Sequence, residues 1–251
     1  MQVPKNMKII PAMLYALSAL LFAFPRAAGA MHIMEGYLPP AHCIAWGVLC
    51  LPFLVAGVVK IRHIILRKKR LLILLAMSGA FIFVLSSLKL PSVTGSASHM
   101  TGTGLAAILF GPVVTSVLGI IALLFQAILI AHGGLTTLGA NAFSMAVVGP
   151  IFVWFLYGLG KKTSFSRKVN IFIAAALGDL LAYCVTAVQL AVAYPSELGG
   201  TAASAVKFLG VFAPTQLPLA VVEGLLTVMI VIGIESLAEV ELKEIAFLEA
   251  K

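Results

Sequence analysis

The chain has 251 residues, 61% of them hydrophobic and 10% charged, with a formal net charge of +8 and a mean hydropathy of +1.11. Soluble domains are about half apolar and a quarter charged, so this composition excludes a water-soluble globule and makes lipid the solvent. The positive balance does not point to nucleic acid either, because the basic residues fall in short runs between apolar segments, where orientation signals belong.

Residues 1–30 read as a cleavable signal peptide. Lys5 and Lys8 precede an apolar run from Met13 to Phe24, followed by Arg26 and the small-residue site Ala28-Gly29-Ala30. That run is short for a span, which takes about 20 residues. An uncleaved signal anchor is the alternative. Cleavage after Ala30 starts the mature chain at Met31-His32-Ile33-Met34-Glu35-Gly36, leaving 31–251 as a transmembrane domain with an external N-terminal segment over 31–40.

Six apolar segments follow: His42–Val59, Leu71–Leu88, Leu105–Ile130, Asn141–Leu159, Ile171–Ala193 and Leu217–Ile234. The basic runs Lys60, Arg62, Arg67, Lys68, Lys69, Arg70 and Lys161, Lys162, Arg167, Lys168 belong on the cytoplasmic side. With Met31 outside, six spans put the second run on the wrong side. Leu105–Ile130 contains Gly111-Pro112, and proline inside a helix removes a backbone bond and kinks or ends it. Two short or re-entrant helices there, the first starting near Thr101, restore both basic runs to the cytoplasm. The fold class is therefore an all-α membrane protein, a polytopic bundle of about seven transmembrane helices with its N-terminus outside and C-terminus inside.

The tail over 235–251 alternates Glu239, Glu241, Lys243, Glu244 and Glu249 with Leu237, Val240, Ile245 and Leu248, the pattern of a short amphipathic cytoplasmic helix. Cys43, Cys50 and Cys184 lie in apolar stretches without paired spacing, which gives no disulfide framework or thiolate cage and marks them as core residues. The chain has no Walker loop, GxGxxG fingerprint or HExxH motif, so energy from ATP has to come from a partner.

The outer segments carry the chemistry. A free amine at Met31, the backbone nitrogen of His32 and its imidazole close adjacent five- and six-membered rings on one ion. Such nitrogens suit cobalt, nickel, copper and zinc rather than calcium or magnesium, and a deprotonated backbone nitrogen favours a planar site for nickel or copper, with cobalt open. A fourth donor is needed, and the Gly- and hydroxyl-rich loop Pro91–Gly104 on the same side offers His99; taken alone, an isolated loop histidine is more often a surface or hydrogen-bonded residue than a ligand, and its placement opposite the chelating terminus favours the ligand role. His42 opens the first span as an interfacial or supporting residue, His63 sits solvated in the basic loop, and His132 stands at a helix end, where capping competes with binding. Glu35 is placed to orient an imidazole or attract cations. Asp179 and Glu223 lie inside spans, where an ionisable residue is costly; each serves either transport or an interhelical hydrogen bond. Asn141 caps or bonds between helices.

Four stretches, Met31–Pro40, the Ser92–Gly104 loop, Ala131–Asn141 and the run Ala213-Pro214-Thr215-Gln216-Leu217-Pro218-Leu219-Ala220, together resemble the CbiM/NikM family. These are the metal-binding substrate components of energy-coupling factor (ECF) importers. The resemblance covers residues 31–251. It implies seven membrane helices and a metal site made of Met31, His32 and His99. Many relatives start at the metal-binding methionine, so here residues 1–30 must be removed for the amine to exist. The loop wording is closer to the cobalt branch than to the nickel branch. That implies Co²⁺ as transported substrate for cobalamin biosynthesis, with Ni²⁺ the alternative, and no prosthetic group or catalytic residue. The implied partners are a transmembrane coupling subunit (T), ATPase subunits (A), a small auxiliary membrane subunit (N) and membrane lipid. Two other classes compete: an autonomous proton-coupled metal transporter using Asp179 or Glu223, and an intramembrane metalloenzyme using Glu35.

Overall fold

A computed structural model describes residues 32–91, 97–245 and 247. The expected signal peptide, Met31 and residues 92–96 lie outside the described residues. Helix α1, Pro40–Arg67, begins on a proline, whose missing N–H costs nothing in the first turn. It buries only Cys43, Cys50, Gly57 and Ile64 and turns Ile44, Val55 and Val59 outward, as a helix bathed in lipid does. Because α1 runs on to Arg67, the basic residues Lys60 and Arg62 and the exposed His63 ride on its last turns rather than in a loop. Helix α2 is Leu71–Ser87.

The stretch expected to break at Gly111-Pro112 does so. Helix α3, Thr103–Phe110, and helix α4, Pro112–Leu129, meet at Gly111, whose φ of 84° suits glycine alone. Eight residues of helix rise only about 12 Å, far short of a hydrocarbon core of about 30 Å, so α3 is a half-helix. All eight of its residues are buried. Lys60 Nζ donates to the Phe110 carbonyl at 3.0 Å, which places a cation on the negative end of the α3 dipole.

A one-turn helix α5, Leu138–Asn141, runs through a widened π-type segment, Ala142–Val148, into α6, Gly149–Gly160. The Ala140 carbonyl at this join is met by Gln189 Nε2 at 3.1 Å. Helices α7, Arg167–Ala193, and α8, Gly200–Leu237, pack side by side. The apolar segment expected over Leu217–Ile234 is thus the second half of a 38-residue helix containing Pro214 and Pro218. Of the tail, α8 takes residues 235–237, and among the described residues α9, Glu239–Glu244, follows it with Leu242 buried.

Five runs, α1, α4, 138–160, α7 and α8, are long and apolar enough to cross a membrane, and α2, at 17 residues, falls just below that length. The chain is an all-helical, multi-pass membrane bundle whose strand content among the described residues is a two-residue antiparallel pair, Leu90–Pro91 with Ala97–Ser98. Its two ends differ. One buries Ile33, Leu38, Tyr183 and Phe212 beneath the N-terminal segment. The other gathers Ile64, Leu71, Tyr157, Leu242 and Phe247 beside the pairs Arg167–Glu235 and Lys68–Glu244 carbonyl.

Candidate metal centre

Three segments far apart in sequence converge at the first of these ends: the N-terminal strap 32–39, the loop before α3, and the turn between α4 and α5. Each delivers one buried histidine. His32, His99 and His132 are 2%, 0% and 3% exposed, and one nitrogen from each lies within 4.8 Å of the others. Ring centroids are 4.2 Å apart for His32 and His99, 4.5 Å for His32 and His132, and 4.9 Å for His99 and His132.

The nitrogens are not equivalent. His99 Nδ1 lies 2.8 Å from the Met100 carbonyl. A carbonyl only accepts, so Nδ1 carries the proton and Nε2 keeps its lone pair. That Nε2 faces Nδ1 of His32, the ring nitrogen that a chelate through the His32 backbone would use. His32 Nε2 and both ring nitrogens of His132 have no hydrogen-bond partner, and an unpaired buried polar atom costs about 1–3 kcal/mol. Burial, reinforced by mutual repulsion and by Lys89, drives the basicity of His32 and His132 down, His32 well below the usual range and His132 to about 2. The three rings are held neutral, the state in which imidazole ligates metal.

The strap is clasped from the α4–α5 side. Ile33 N donates to Asn141 Oδ1 at 2.7 Å, and the Ile33 carbonyl accepts from Asn141 Nδ2 at 3.0 Å and Thr137 Oγ1 at 2.7 Å. Gly36 N donates to Thr136 Oγ1, and the Tyr194 hydroxyl donates to the Tyr37 carbonyl. Gly134 lies so close that a Cβ there would stand 2.5 Å from Glu35 Cα. Glu35 does not orient an imidazole. Its carboxylate accepts from Thr136 N at 3.2 Å, and hydrogen bonds from Thr136 hold it below the usual carboxylate range.

The His99 loop is held from the opposite side. Gln216 Nε2 donates to the His99 carbonyl at 3.2 Å and to Asp179 Oδ2 at 2.6 Å. Thr101 N lies 3.1 Å from Asp179 Oδ1 and 2.6 Å from Glu223 Oε2, while its hydroxyl donates to Glu223 Oε1 at 2.8 Å. Asp179, Gln216 and Glu223 are fully buried. The two intramembrane acids therefore make interhelical hydrogen bonds at the positive end of the α3 dipole, joining α7 and α8 to the loop that carries His99.

Of the residues singled out in the sequence, His32 and His99 are brought together, Met31 lies outside the described residues, and His42 and His63 stand apart from the group. His132 joins the cluster, which its place at a helix end left undecided. Gln216 had no chemical signal of its own; it entered only as part of the run Ala213–Ala220 that carries the family resemblance, between the two prolines of α8.

Residues 32–239 match the sequence model of the CbiM family, described as "Cobalt uptake substrate-specific transmembrane region". The cobalt transport protein CbiM of Lachnoclostridium phytofermentans is 61% identical over 227 residues, covering 90% of this chain and 91% of that protein. The cobalt transport protein CbiM of Salmonella typhimurium is 54% identical over 215 residues, covering 86% and 88%. A crystal structure of a transition metal transporter superposes with a TM-score of 0.72 at 26% identity, covering 83% of this chain and 94% of that one. A truncated transition metal transporter gives a TM-score of 0.68, also at 26% identity, covering 80% and 96%.

Proposed function

The chain belongs to the CbiM family, and on that footing we propose that it is the substrate-capture component of a Co²⁺ importer, with the ion bound by Met31, His32 and His99. The observation that carries this is the facing pair of His32 Nδ1 and His99 Nε2, buried and fixed in tautomer by Met100. A terminal amine at Met31 and the His32 backbone nitrogen would complete four nitrogen donors, which suit a borderline divalent ion. The ion takes the place of the proton between the two imidazoles, and the Asn141 clasp holds the strap in register for chelation.

The histidine end faces outward and the basic end faces the cytoplasm. Seven segments cross, with the loop before α3 covering the outer half of one crossing and α3 the inner half. Lys60, Lys68 and Arg167, at the opposite end from the histidines, support this sidedness. Residues 1–30 leave as a signal peptide. A transmembrane coupling subunit, ATPase subunits and a small auxiliary subunit drive inward release, and the cobalt serves cobalamin synthesis.

Native mass spectrometry of protein purified from cells grown with cobalt and nickel together tests this. A chain beginning at Met31 with one cobalt is the expected result. One nickel instead would keep the site and move the specificity. A metal-free chain retaining residues 1–30 would defeat the terminal chelate.

A further inference from the structure

The basic end, far from the histidines, carries two adjoining hollows for which cobalt capture has no use. We propose that together they bind one anionic two-chain phospholipid of the cytoplasmic leaflet, its phosphate among Arg67, Lys69 and Arg70 and one acyl chain in an apolar groove between α2 and α8. Only the choice of leaflet rests on the sidedness proposed above.

Helix α2 packs on α3 and α4, and α8 packs on α7, which leaves a groove of 360 Å³ between α2 and α8. Ile73, Leu74 and Met77 line it from one side and Ile230, Ile234 and Leu237 from the other. Leu74 and Ile234 are buried, whereas Ile73, Met77 and Leu237 stand exposed. Gly233 opens the groove further, since a Cβ there would meet no atom within 4 Å. The second hollow, of 430 Å³, is lined by Leu66, Arg67, Lys68, Lys69, Arg70 and Glu244. The two hollows share both walls. Arg70, which enters α2 with helical φ of −61° and ψ of −33°, and Ile73, Leu74 and Met77 have the i, i+3, i+4, i+7 spacing of one helix face. The rise from Arg70 to Met77 is about 10 Å. On the opposite wall Glu244 lines the basic hollow, and Glu241, on the same short helix α9, lines the groove.

Charge selects the headgroup. Among the described residues Arg67, Lys69 and Arg70 pair with no acid: the ion pairs of this end are Arg167–Glu235 and Lys243–Glu239, and Lys68 is held by the Glu244 carbonyl at 3.0 Å. Arg67, Lys68, Lys69 and Arg70 outweigh Glu241 and Glu244, so the site is net positive, and basic pockets beside membrane helices attract anionic headgroups. Size selects the tail. One turn of a partner helix, about 10 Å across with a pitch of about 5.4 Å, fills about 400 Å³, more than the groove holds. An acyl chain lies in it lengthwise, and the second chain of the lipid rests on exposed Ile73 and Leu237.

The test is native mass spectrometry of the purified full chain in detergent, titrated with phosphatidylglycerol or with phosphatidylethanolamine of the same acyl chains. The double variant Arg67→Gln, Arg70→Gln and the groove-filling Gly233→Phe are measured beside it. One phosphatidylglycerol is expected to bind saturably, about ten-fold or more tighter than phosphatidylethanolamine. The double variant should lose that preference, and Gly233→Phe should weaken both lipids about ten-fold or more. Arg67 and Arg70 are exposed and make no side-chain bond among the described residues, so the double variant keeps the fold and decides the headgroup by itself. A shell of many lipids without headgroup preference overturns the assignment. So does an unchanged phosphatidylglycerol adduct in Gly233→Phe, which would give the groove to a partner helix. Cobalt is read in the same spectra. Loss of headgroup preference in the double variant with one cobalt retained supports a separate lipid site, and saturable lipid binding by a chain that takes no cobalt removes the capture site alone.

Discussion

The two ends of this bundle handle polar groups in opposite ways. At the histidine end the groups that hold the strap and the His99 loop are mostly buried and bonded to named partners, as in the bonds of Asn141 and Thr137 to Ile33 and of Gln216 to His99 and Asp179. At the basic end the charges stay wet: Lys243 and Glu239 pair at 2.5 Å with both side chains mostly exposed, and Arg167–Glu235 is only half-buried. Geometry is fixed where desolvation makes each missing bond expensive, whereas exposed pairs contribute about 0–1 kcal/mol. The contrast locates specificity at one end and orientation at the other.

The sharpest way to break that contrast is to remove a ligand. His32→Ala should abolish cobalt binding by calorimetry and uptake in cells while membrane insertion is retained; wild-type uptake would defeat the site. Next is the clasp: Asn141→Ala frees the Ile33 N–H and leaves its carbonyl to Thr137 Oγ1 alone, and should lower cobalt affinity about 10–100-fold, with Thr137→Val losing less. The loop anchor follows. Thr101→Val leaves Glu223 Oε1 without its hydroxyl donor and should cost about 1–3 kcal/mol in denaturant or thermal unfolding. Acid should act on the same end. Burial keeps the imidazoles of His32 and His132 neutral in the folded protein to well below the pH near 6.5 at which unfolded histidines protonate. The stability this confers is complete above pH 6.5 and is lost progressively as pH falls below it, so metal-free protein should melt earlier at pH 5 than at pH 7, and less so in His132→Asn. The smallest effect belongs to the other end, where Lys243→Ala should change stability by less than about 1 kcal/mol; a larger loss would contradict the contrast.

How far the sequence could be read follows the same division. Long apolar runs and basic clusters are local signals, so the helical bundle and the break at Gly111-Pro112 were legible. The length of α8 was not, since Pro214 and Pro218 argue against a continuous helix and only packing against α7 overrides them. His32 stood out because the expected cleavage after Ala30 would put it in second place, where a histidine is a chelator by itself. His132 and Gln216 did not, because their roles arise from contacts across 100 residues or more, His132 with His32 and Gln216 with the His99 carbonyl. Asp179 and Glu223 were visible as costly residues, but their shared partner, Thr101, was not.

The clasp on Ile33 also has a practical side. With His32 buried and Ile33 gripped at both its N–H and its carbonyl, a fusion placed at the proposed mature N-terminus would have to sit against the buried histidines and would consume the amine of the proposed chelate. An affinity tag or fluorescent reporter fused there would act as a stopper, so purification handles and labels belong after α9, at the opposite end of the molecule.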